Sequence, residues 1–218
     1  MKIKTISIKN IISAAIILLA INGCSKKSKQ KNSNVDNLLS TNLDKGSYNI
    51  KASESEVKWI GKELSTSTHT GTLVLKKGKI DINANGVIYG NVEIDMTTIN
   101  VTDMGGGGKI KLEGHLKSSD FFDVDKYPSA FITFNSENNP VFNNQIKLNG
   151  TLTIKDITHP ISFTAEVLQK QPHLMAKASM SFDRSKYDVR FRSGKFFENL
   201  GDKLILDDID IDVLLVTN

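Results

Sequence analysis

The sequence predicts an all-β domain, a single sandwich or barrel of eight or nine antiparallel strands. Three observations carry this: sustained period-two alternation, polar turns between the alternating runs, and almost no long helical periodicity. Alternation is clearest over residues 145–155, where Ile146, Leu148, Leu152 and Ile154 oppose Lys147, Asn149, Thr151, Thr153 and Lys155. Ile161, Phe163, Ala165 and Val167 repeat the pattern against Ser162, Thr164 and Glu166. So do Ala176, Ala178, Met180 and Phe182 against Lys177, Ser179 and Ser181, and Ile209, Ile211 and Val213 against Asp208, Asp210 and Asp212. Each run gives a strand with one apolar and one solvated face. Shorter strands are expected at 57–60, 71–75, 79–82, 87–96 and 130–134.

Helix is expected only in two short stretches, residues 117–122, with Ser118 or Ser119 as cap, and residues 194–200. The run Gly105 to Gly108 before Lys109 lacks the spacing of a phosphate loop, because Ile110 stands where Ser or Thr is required, and reads as a flexible connection.

The amino terminus has its own logic. Lys2, Lys4 and Lys9 precede the apolar segment IISAAIILLA, which ends at Ile21-Asn22-Gly23-Cys24. A basic start, a short apolar run and a small residue before the cut describe a signal peptide over residues 1–23. Cys24 is the only cysteine, so it forms no internal disulfide, and its setting resembles a bacterial lipobox, which implies acylation of its thiol. The polar, Lys/Asn/Ser-rich residues 24–45 then read as a tether, and residues 46–218 as the folded domain. Without Lys2, Lys4 and Lys9 the formal charge falls from +4 to +1, which removes most of the case for nucleic acid as a partner. A transmembrane barrel also alternates, but it would show aromatic girdles and would not need an anchor.

Within GHLKSSDFFDVDKYPSA, residues 114–130, Phe121 and Phe122 are too large for both to face water, and Tyr127-Pro128 forces an extended entrance to the next strand. Asp120, Asp123 and Asp125 lack the Gly and Glu of a calcium loop and read as turn formers and caps. His115 is the residue best suited to chemistry, as a general base or a hydrogen-bond partner for a headgroup. No G-x-S-x-G accompanies it, and His69, His159 and His173 have no zinc spacing, so no catalytic set, metal or cofactor is expected. The three arginines, Arg184, Arg190 and Arg192, fall within nine positions. They suit either a clamp on carboxylate or phosphate or ion pairing with Asp183, Asp188 or the region of Asp202, Asp207 and Asp208.

Tyr48-Asn49-Ile50, IDMTTI, the Phe121-Phe122 segment, GTLTIKDITHPISF and the stretch from Phe182 to Val213 together resemble, in this order, the YceI-like family in its lipoprotein branch. The resemblance covers roughly residues 46–218. It implies a lipocalin-like eight-stranded antiparallel barrel with one or two short helices, in the cell envelope, holding a polyisoprenoid, quinone or other long amphiphile, without enzymatic activity. The expected cavity residues are Trp59, Phe121, Phe122, Ile132, Phe134, Leu152, Phe163, Met180 and Phe182, with His115, Arg184, Arg190 and Arg192 meeting the headgroup. The alternatives are a structural lipoprotein with a packed barrel, and an envelope hydrolase using His115. Lipid anchoring points to the outer membrane; the oligomeric state is left open.

Overall fold

The computed structural model describes residues 43–65, 67–137 and 141–218. The proposed signal peptide and Cys24 lie outside the described residues. Nine strands form: β1 (Gly46–Asn49), β2 (Glu56–Lys62), β3 (Thr68–Ile82), β4 (Ile88–Val101), β5 (Ser129–Asn135), β6 (Gln145–Ile154), β7 (Ile157–Gln169), β8 (Met175–Asp183) and β9 (Asp208–Val216). All neighbours are antiparallel, and β2 to β9 run β3-β2-β9-β8-β7-β6-β5-β4 before β4 closes back onto β3. The result is a closed eight-stranded barrel, which leaves no long open edge. The short β1 pairs outside the ring with the far half of β3, Gly46 opposite Ile82.

The alternating apolar residues face inward, and Ile146, Leu148, Leu152, Ile154, Phe163, Ala165 and Val167 are all buried. Outward positions carry Lys58, Lys147, Thr151, Thr164, Lys177 and Ser179. An apolar interior within a polar exterior is the inverse of a porin wall.

Expectations for the strands, the helices and the caps are corrected. Residues 71–75 and 79–82 belong to one continuous strand, β3, whose register shifts at Thr72/Val74 and Leu75/Lys77 interrupt the alternation. The helix is α1 (Gly106–Lys117), so the glycine run opens it rather than forming a loop, and residues 118–122 are turns. Four glycines in twelve positions oppose helix formation, but tertiary bonds fasten this one. Glu113 Oε1 accepts from the Val101 amide at 2.8 Å, while Lys109 Nζ donates to the Val101 carbonyl at 2.8 Å and to Asn100 Oδ1 at 2.7 Å. The other expected helix, 194–200, is irregular, with a single 3₁₀ turn following at Gly201–Lys203.

The turn after α1 is closed by its backbone: Phe121 and Asp123 amides donate to the Ser118 carbonyl at 3.0 and 2.8 Å. Ser118 therefore ends α1, and its hydroxyl donates to the His115 carbonyl at 2.8 Å. Asp120 is exposed and caps nothing among the described residues. Asp123 adopts φ 50°, and its carbonyl accepts from Lys126 and Tyr127.

Candidate ligand cavity

The barrel encloses a cavity of about 740 Å³, within the range of small-molecule sites. Its wall is built by the inward faces of β2 to β9 and its cover by α1, the Phe121-Phe122 turn and the β8–β9 connection. Several inward side chains, among them Leu73, Met180, Phe182, Ile211 and Val213, remain half-buried because they face this space rather than one another.

Two aromatic placements keep the lumen open. Trp59 is paired across the strands with Gly71, and Phe134 with Gly90. A Cβ on Gly71 would lie 2.4 Å from Trp59 Cζ2, and one on Gly90 would lie 2.1 Å from Phe134 Cζ. Each large ring thus lies flat over a glycine, against the wall, where any other residue would push it inward. Phe134 also meets Phe163 edge-on, with centroids 5.7 Å apart.

All nine residues singled out as cavity candidates, Trp59, Phe121, Phe122, Ile132, Phe134, Leu152, Phe163, Met180 and Phe182, lie on the lining. Phe121 is the deepest of the cover, and His115 packs against it and Phe191, with ring centroids 5.6 and 4.3 Å away. His115 reaches the cavity, but its Nε2 is buried with no hydrogen-bond partner among the described residues, as is Trp59 Nε1. Among the described residues no hydroxyl or carboxylate is bonded to the His115 ring, and Ser118 donates to the main-chain carbonyl instead.

The arginine cluster divides. Arg192 lines the cavity, with Cζ 5.0 Å from the Phe191 ring centre. Arg190 does not; it pairs with Asp188 on the exterior and stacks over Phe196. Arg184 does not line the cavity either. It is completely buried, donating to the carbonyls of Leu206, Val189 and Ile205 at 3.3, 3.0 and 3.1 Å, with Asp207 Oδ1 at 3.2 Å from Nη2. Burial lowers its pKa against the opposing pull of Asp207 and Asp183. A guanidinium fully buried and turned to these carbonyls does not face a headgroup in the cavity.

The sequence reading passed over other cavity residues. Lys111, Leu112 and Leu116 were hidden with the helix that carries them. Lys62, Glu63 and His69 mark the same end, and Leu43, from the end of the expected tether, lines the cavity too. Gly108 and Lys111, both exposed and both on the lining, place an opening of the cavity beside α1.

Comparison with known proteins agrees with this architecture. BcnA of Burkholderia cenocepacia superimposes with a TM-score of 0.62 at 18% identity, over 78% of this chain and 99% of that one. A polyisoprenoid-binding domain from Saccharophagus degradans, implicated in plant cell wall breakdown, gives 0.55 at 15% identity, over 78% of this chain and 97% of that one. At such identities the likeness is one of fold. No curated protein sequence matches significantly. The family model of the YceI-like domain matches residues 48–217, nearly the whole barrel, and the chain belongs to that family.

Proposed function

We propose that the barrel is a non-enzymatic carrier or sensor of a long-chain amphiphile, a polyisoprenoid, quinone or similar lipid, whose tail fills the lumen. The observation that supports this best is the hollow, apolar cavity of about 740 Å³. The solved domain from Saccharophagus degradans, of the same fold, is a polyisoprenoid-binding one. A packed structural barrel is hard to reconcile with inward residues left half-buried. A hydrolase using His115 lacks a partner, because that ring is flanked by Phe121 and Phe191. On this proposal residues 1–23 are removed, Cys24 is acylated, and the barrel is held at the outer membrane of the cell envelope.

The test is a graded series of long-chain alcohols titrated against the delipidated protein. β6, at ten residues, spans roughly 25 Å along a barrel axis tilted by about 40° to the strands. Affinity should therefore rise with tail length, by up to about 0.8 kcal/mol or fourfold per methylene, and level off near that length. An affinity indifferent to tail length refutes the reading.

A further inference from the structure

We infer that the amphiphile carries an anionic headgroup, a phosphate or carboxylate, held at the α1 end of the cavity by Arg192 and Lys111. The inference rests on the amphiphile reading above. Five charged residues besides histidine border the cavity, Lys62, Glu63, Lys111, Lys177 and Arg192, the side chain of Lys177 standing on the outer face. Lys62 is neutralised by Asp210 at 2.9 Å, and Lys177 by Glu166 at 3.0 Å. Lys111 and Arg192 have no ion pair or hydrogen-bonding side-chain partner among the described residues. Most cations on the barrel wall are matched, so two unmatched ones on a single apolar cavity stand apart. Glu63, the one carboxylate on the lining, pairs with neither.

The fold brings the two cations to one rim. Lys111 lies one helical turn before His115, on the same face of α1. The His115 ring packs on Phe191, and the next residue, Arg192, stacks its guanidinium over that ring. The polar group of a ligand leaving the apolar lumen would meet both. Guanidinium can meet a phosphate or carboxylate with two parallel donors, and such charge-assisted bonds are stronger than neutral ones.

The backbone supports the same reading. Arg192 has φ 52°, the left-handed region, in a turn closed by the Ser193 amide on the Arg190 carbonyl at 2.9 Å and tied by the Ile205 amide on the Arg192 carbonyl at 3.0 Å. Glycine would occupy this position without strain. A long cationic side chain stands there instead, its guanidinium over the Phe191 ring. Strained non-glycine residues of this kind cluster at ligand clamps.

The test compares three ligands of identical tail with the full-length protein: an alcohol, a fatty acid and an alkyl phosphate. The anions are expected to bind at least tenfold more tightly than the alcohol, with an advantage that shrinks as salt is raised. The tighter of the two anions identifies the headgroup. Arg192→Gly, which relaxes the turn, should keep or raise the melting temperature while lowering anion affinity and leaving alcohol affinity unchanged. Lys111→Gln, at an exposed helix position, should do the same to a smaller degree, and the double variant should abolish the preference. Equal binding of alcohol and anions by the wild type, or a preference that survives in the double variant, overturns the headgroup inference and leaves the tail-binding reading intact. Failure of all three ligands to bind overturns both.

Discussion

Replacing Arg184 by methionine separates architecture from ligand recognition. Its guanidinium reaches the carbonyls of Val189, Ile205 and Leu206, from both ends of the connection between β8 and β9. One side chain thereby closes that connection over the end of the barrel, beneath Phe121, whose ring centre lies 5.4 Å from Cζ. Methionine keeps part of the packing but strands three acceptors and leaves Asp207 with Ser193 at 2.9 Å and Lys195 at 3.9 Å. Removing one member of a buried, hydrogen-bonded ion pair costs about 3–5 kcal/mol, a large part of the roughly 5–15 kcal/mol that holds a domain folded. At about 2–4 °C per kcal/mol for a chain of this size, the melting temperature should fall by ~6–20 °C. Urea unfolding followed by circular dichroism measures the loss, and alcohol titration below the transition checks that the lumen persists. A loss under about 1 kcal/mol refutes this reasoning. So does wild-type stability combined with weakened anion binding, which would return Arg184 to the ligand.

Three further outcomes are expected. Gly71→Ala would set a Cβ 2.1 Å from the Asn100 carbonyl oxygen and 2.4 Å from Trp59 Cζ2; it should cost about 1–3 kcal/mol, shift the fluorescence of the single tryptophan and weaken tail binding, and an unchanged spectrum and stability would count against the stacked geometry. Glu93, held at a pKa of about 2 chiefly by Lys76, with Ser129 and Lys77 assisting, contributes stability that is present above its ordinary pKa of 4.5 and is lost as pH falls towards 2. Glu93→Gln should flatten the unfolding free energy over that window, and a wild-type slope in the variant contradicts the assignment. Cys24→Ala should abolish labelled palmitate incorporation and move the protein out of the membrane fraction; labelling that persists in the variant rules out this anchor.

The strands were legible because a half-buried antiparallel strand must alternate, and β6, β7, β8 and β9 do so with few interruptions. Periodicity splits β3 into two pieces because its bulges change phase around Lys76 and Lys77, and because its inward position there is Gly78. A Cβ at Gly78 would lie 2.4 Å from Ile50 Cδ1, so the missing apolar residue is supplied by another part of the chain. Such a substitution in space leaves no mark on local periodicity. The helix was misplaced for a related reason. Its glycines argue against it locally, and the bonds from Lys109 and Glu113 to Asn100 and Val101 that fasten it are tertiary.

The cavity wall was easier to read than its opening, and the arginines show why. Wall residues follow from strand parity: Ile132, Phe134, Leu152, Phe163, Met180 and Phe182 share a face once a strand is recognised, whatever the loops do. Arg184, Arg190 and Arg192 sit in a connection with no period, where a span of nine positions sends one guanidinium to the interior, another to the surface and the third to the lumen. Their separation is decided by turn geometry. Asp188, at φ 58°, reverses the chain after Tyr187, and Arg192, at φ 52°, reverses it again after Phe191. Neither position carries the glycine or asparagine that would have announced a left-handed turn. The same two reversals bring Phe191 against His115 and put Arg192 on the cavity lining, to which α1 contributes Lys111. If the proposed ligand is bound as inferred, its tail meets the regular strands and its headgroup meets Lys111 of α1 and Arg192 of the irregular β8–β9 connection, so a change in that connection should alter headgroup preference without altering the barrel.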